Sequence, residues 1–177
     1  HRDLHSFPTR RSSDLAVGEG SGKVIFSVET DQGMTQKGVN FAVVDHDFID
    51  ALGIEMASGR DFQEDMPSDT LTGVVINETF ANRMGWKEPI GKKVDLGDEN
   101  TARARVIGVM KDYHQTGMYN GIESLLLVYR PLNNIMYIKL SGNETQPTLA
   151  FIEKSWNEIF PGQPFSYTYI SEKIGRA

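Results

Sequence analysis

The amino-acid sequence predicts an α+β domain in which mixed small sheets carry about three helices. Three observations predict it. Short segments alternate apolar and polar side chains, as half-buried strands do. One segment, residues 148–160, instead repeats its apolar residues at helical spacing. Between these segments stand clusters of Gly, Asn, Asp and Pro, the residues that punctuate turns. The chain has no internal repeat and no low-complexity tract.

Residues 16–22 are Gly-rich and read as loop. In 23–30, Val24, Phe26 and Val28 alternate with Lys23, Ser27 and Glu29; Ile25 interrupts the polar side. That pattern predicts a strand with one buried face. Asp31, Gln32 and Gly33 form a turn, and 38–44 is the second strand. Asp45 or Asp47 is placed to cap a short helix bearing Phe48, Ile49 and Leu52, which Gly53 ends. Residues 54–69 read mostly as structured loop around Phe62. Next comes a short buried strand, 74–76, with Asn77 as N-cap of helix 78–84 and Gly85 closing it. A strand starts within 91–96, a hairpin turn occupies 97–100, and 102–110 pairs back. After a loop at 113–121, strands are predicted at 125–129 and 136–140. In the helix at 148–160, Leu149, Ile152, Trp156, Ile159 and Phe160 share a face, and Pro147 suits its first turn. Phe165, Tyr167 and Tyr169 alternate in a last strand. The sum is about eight strands and three helices.

The two ends read as foreign. Residues 1–15, HRDLHSFPTRRSSDL, lack the apolar stretch of a signal peptide and match the conceptual translation of a sequencing adapter. Residues 173–177 match the start of the reverse adapter. Residues 16–172 are therefore taken as a fragment of a longer protein, and the ends are expected not to join the fold. The whole chain has a formal charge of −6. Those ends hold five of its 18 Lys and Arg and two of its 24 Asp and Glu, so the rest stands near −9. Such acidity argues against nucleic acid as a partner, because phosphate binding needs clustered cations. It argues equally against anionic lipid. The chain has no cysteine, which excludes disulfides, thiolate metal sites and cysteine nucleophiles. A 39% hydrophobic content suits a real core.

The chemical motifs mostly fail on inspection. Gly18-Glu19-Gly20-Ser21-Gly22-Lys23 resembles a phosphate loop but is one residue short between its first glycine and Gly22-Lys23. It is followed by Val24 where a magnesium-binding hydroxyl is needed. Asp45-His46-Asp47 and Asp112-Tyr113-His114 offer two histidines and nearby carboxylates, the raw material of a metal site. Ordinary surface side chains are the preferred reading of both, so no metal, cofactor or catalytic residue is assigned. Asn77-Glu78-Thr79 and Asn143-Glu144-Thr145 match glycosylation sequons, which arise readily by chance. No serine sits in a nucleophile elbow. More informative is Gly59-Arg60-Asp61-Phe62. Gly59 can supply a left-handed turn, Phe62 can anchor in the core, and Arg60 can fork onto carboxylates or carbonyls. The structural motif residues are thus Gly59, Arg60, Phe62, Asn77 and Gly91.

Taken in order, Val43-Val44-Asp45, Asp47-Phe48-Ile49, Leu52-Gly53-Ile54, Gly59-Arg60-Asp61-Phe62, Val75-Ile76-Asn77-Glu78, Gly85-Trp86, Pro89-Ile90-Gly91-Lys92, Val106-Ile107-Gly108-Val109 and Lys111-Asp112-Tyr113-His114 form a recognisable series. It resembles the MacB-like periplasmic core domain of FtsX-like ABC transporter permeases, in its Bacteroidetes-type form. The resemblance spans 41–127, and 136–170 looks like the second part of the family's porter-like lobe. It implies a porter-like lobe and an inserted small α/β lobe, placed between two transmembrane helices of a permease subunit. It also implies a periplasmic position on the inner membrane, pairing with a second permease subunit, and ATP hydrolysis by a separate cytoplasmic subunit. Motion would pass to the transported substrate or to a periplasmic partner, without catalytic residues in this domain. The alternatives from other classes are a free-standing metal-dependent hydrolase using His46 and His114, and a soluble ligand-binding module.

Overall fold

A computed structural model describes residues 23–97, 104–113, 121–130, 136–140 and 145–169. The glycine-rich loop, both foreign ends, His114 and the 98–100 part of the hairpin lie outside these residues. Seven strands and four helices are present among the described residues: β1 (Lys23–Thr30), β2 (Gly33–Val44), α1 (Phe48–Ala51), β3 (Met56–Gly59), α2 (Pro67–Leu71), β4 (Gly73–Asn77), α3 (Glu78–Met84), β5 (Lys93–Asp95), β6 (Ala104–Met110), β7 (Leu125–Tyr129) and α4 (Thr145–Ile159).

The strands gather into one mixed sheet, ordered β3-β6-β4-β7-β2-β1-β5. Strand β5 pairs with β1 on one side and with β6 on the other, so the sheet curls back on itself. β1 and β2 form a hairpin in full register from Lys23↔Asn40 to Thr30↔Gly33. β2 runs parallel to β7, and β4 runs parallel to β6 but antiparallel to β7. Strands β4 and β7 are buried along their whole lengths. Coverage on both faces explains their unbroken apolar runs, Val74-Val75-Ile76 and Leu125-Leu126-Leu127-Val128.

The two-residue period of these strands sorts their side chains into two cores. Val74, Ile76, Leu126 and Val128 join Phe26, Val28, Val39, Val94 and Val106 on one face, where α3 inserts Phe80 and Ala81. Val75, Leu125, Leu127 and Tyr129 point the other way, against Phe48 and Ile49 of α1 and against Phe62. Each fully buried side chain of this size contributes about 1.5–3 kcal/mol relative to leaving it in water. Phe80 also stacks on Trp86, centroids 5.6 Å apart, whose indole N–H donates to the Glu29 carbonyl at 2.9 Å.

The α+β class stands, while several elements differ from the sequence reading. The predicted loop 54–69 contains β3 and the first residues of α2, both elements too short to show a period. The strand predicted at 38–44 begins at Gly33, which holds the hairpin turn at φ +95°. Residues 136–140 and 165–169 are not strands. Their alternation reports which side of the chain is apolar, but a strand also needs a backbone ladder, and neither segment is part of one among the described residues. Helix α4 is present, three residues earlier than expected at its start, yet none of its residues is buried. Its Trp156 instead packs on Phe160 and Phe165, centroids 4.6 and 6.2 Å away. Asp47 occupies the N-cap position of α1 without a side-chain cap bond.

Candidate functional site

Two polar clusters join the elements around the β4–β6 seam. The first begins at Gly59, the last residue of β3. It lies at φ +70°, opposite Gly108 of β6. A Cβ on Gly59 would sit 2.4 Å from the Ile107 carbonyl oxygen, and one on Gly108 would sit 2.1 Å from the Arg60 carbonyl oxygen. Only two glycines allow this backbone crossing. Arg60 leaves the crossing with its N–H on the Ile107 carbonyl at 3.1 Å. Its guanidinium forks onto Asp69 of α2: Nη1 to Oδ2 at 2.6 Å and Nη2 to Oδ1 at 2.8 Å. Nη1 also donates to the Asp61 carbonyl at 3.0 Å.

The Asp69 side chain is fully buried, whereas that of Arg60 is 37% exposed. Burial alone would raise the Asp69 pKa. The Arg60 fork and the Gln63 N–H outweigh it, so the carboxyl is held below its ordinary range. Asp61 behaves oppositely. Burial pushes its pKa up despite a bond from the Phe62 N–H at 2.6 Å. Phe62 is buried beside Tyr129, centroids 5.8 Å apart.

Asn77, fully buried at the end of β4, centres the second cluster. Its Nδ2 donates to Asp112 Oδ1 at 2.8 Å and to the Glu123 carbonyl at 2.9 Å. Its Oδ1 accepts from the N–H of Phe80 at 3.1 Å and of Leu125 at 2.9 Å. Two donors and two lone pairs are all used. One amide thus caps α3 and ties the end of β4 to the start of β7. Asp112, just past β6, accepts from the Thr79 N–H at 3.0 Å and the Thr79 hydroxyl at 2.7 Å.

The remaining sequence candidates are placed apart from these clusters or serve them. Gly91 lies at φ +83°, and its N–H donates to the Val106 carbonyl at 2.8 Å while its own carbonyl accepts from Arg105. His46 has Asp47 at 3.4 Å and Glu64 at 3.8 Å, and its ring lies 5.9 Å from that of Tyr129. Among the described residues no three His, Asp or Glu side chains converge as a metal-binding set. Asp112, the carboxylate nearest in sequence to His114, is engaged by Asn77 and Thr79. Asp69 and Gly108 are the residues sequence reasoning missed as site members. Asp69 follows Pro67-Ser68 in what reads as a loop, and nothing local marks it as the partner of Arg60.

The family profile for the MacB-like periplasmic core domain matches residues 9–154. The chain belongs to the MacB-like periplasmic core domain family. The matched range starts inside the segment that reads as adapter and ends within α4. The chain's fold is shared with solved structures. A domain of a permease protein from Porphyromonas gingivalis is 17% identical, with a TM-score of 0.57 over 86% of this chain and 77% of the other. The periplasmic region of MacB from Actinobacillus actinomycetemcomitans is 16% identical, with a TM-score of 0.52 over 94% of this chain and 82% of the other. No curated protein sequence matches the chain. Among the described residues no helix is long and apolar enough to cross a membrane.

Proposed function

We propose that this MacB-like domain is a non-catalytic, force-transmitting part of a permease subunit. It couples ATP hydrolysis by a cytoplasmic ATP-binding subunit to efflux or to an envelope partner. On this reading it lies on the periplasmic side of the inner membrane and works beside a second permease subunit. The observation that carries the reading is where the polar groups are spent. Asn77, Asp112, Asp69 and Arg60 bond to one another and to backbone groups of neighbouring elements, joining strand ends to helix starts. A reacting centre keeps donors and acceptors turned toward a substrate; these are consumed in joints that stiffen the sheet.

The test uses the intact parent, reconstituted with its ATP-binding subunit. Excising this domain is expected to leave ATP hydrolysis measurable while uncoupling it from transport. The parent is also expected to carry apolar stretches of about 20 residues flanking the domain. A full-length gene without them would overturn the assignment. So would substrate hydrolysis by the purified chain that a chelator abolishes.

A further inference from the structure

We draw no further inference here: the strongest candidate, the edge of β2 at 33–39 that faces away from β1, with Met34 and Ile25 exposed beside it, has no ladder partner among the described residues, and nothing in the structure shows what covers it.

Discussion

Replacing Arg60 by alanine removes both prongs of the fork on Asp69 and leaves a fully buried carboxylate. Its remaining partners are the Gln63 N–H at 3.0 Å and the Ser68 hydroxyl at 3.4 Å. Breaking a buried ion pair by deleting one partner costs about 3–5 kcal/mol. Arg60 is 37% exposed, so water can enter the space it leaves, and the expected loss falls to about 2–3 kcal/mol. Arg60→Lys is expected to recover only part of it, because an ammonium cannot make the planar two-pronged contact. The loss carries a pH signature. In the intact pair the Asp69 pKa is lowered on folding. Its contribution is therefore present above the unfolded value near ~3.9 and is lost as pH falls through the folded value. In Arg60→Ala burial is opposed only by the bonds from the Gln63 N–H and the Ser68 hydroxyl, so the penalty is full at pH 7 and relaxes as Asp69 takes up a proton. The stability gap between the two proteins is expected to narrow steadily from pH 7 toward pH ~3. Urea melts across that range measure it, with Trp86 as the probe and Trp156 replaced by Phe. Equal midpoints at pH 7, or a gap that stays constant on acidification, would refute the reasoning and favour an exposed, anion-binding role for Arg60.

Gly108→Ala is expected to cost about 3 kcal/mol or to detach β3 from β6, since the new Cβ would meet the Arg60 carbonyl oxygen at 2.1 Å. Hydrogen exchange at the Arg60 N–H, which bonds Ile107, reads the detachment directly; unaltered protection there would count against a tight crossing. Asn77→Ala is expected to cost about 3–4 kcal/mol, because it strips a helix cap and leaves the buried Leu125 N–H without its acceptor. Asn77→Asp keeps both acceptor contacts but sets a second carboxylate against Asp112, so its defect is expected to shrink in acid. Calorimetric melts at two pH values check this pair, and a pH-independent defect in Asn77→Asp would exclude charge repulsion as its cause.

Much of this was legible along the chain because it depends on near neighbours. The continuous apolar runs at Val74-Val75-Ile76 and Leu125-Leu126-Leu127 announce strands covered on both faces, as β4 and β7 are. Asn77 before an apolar helical pattern and Gly85 after it bound α3, because capping is satisfied within a few residues. The ordered series of short motifs carried the family, and the family carried the permease reading. Gly59, Arg60 and Phe62 stood out since a turn, a fork and an anchor occur within four residues.

What the tertiary structure alone decided depends on partners distant in sequence. That β5 pairs with both β1 and β6, curling the sheet, follows from hydrogen bonds between segments whose alternation says nothing of their neighbours. Residues 136–140 and 165–169 alternate as well as any strand, yet pair with none among the described residues. Pairing belongs to two segments at once, and one-dimensional periodicity reports only one. Asp69 becomes the partner of Arg60 only when α2 folds back beside the Gly59–Gly108 crossing, which lets a short loop bury a carboxylate and supply its counter-charge together.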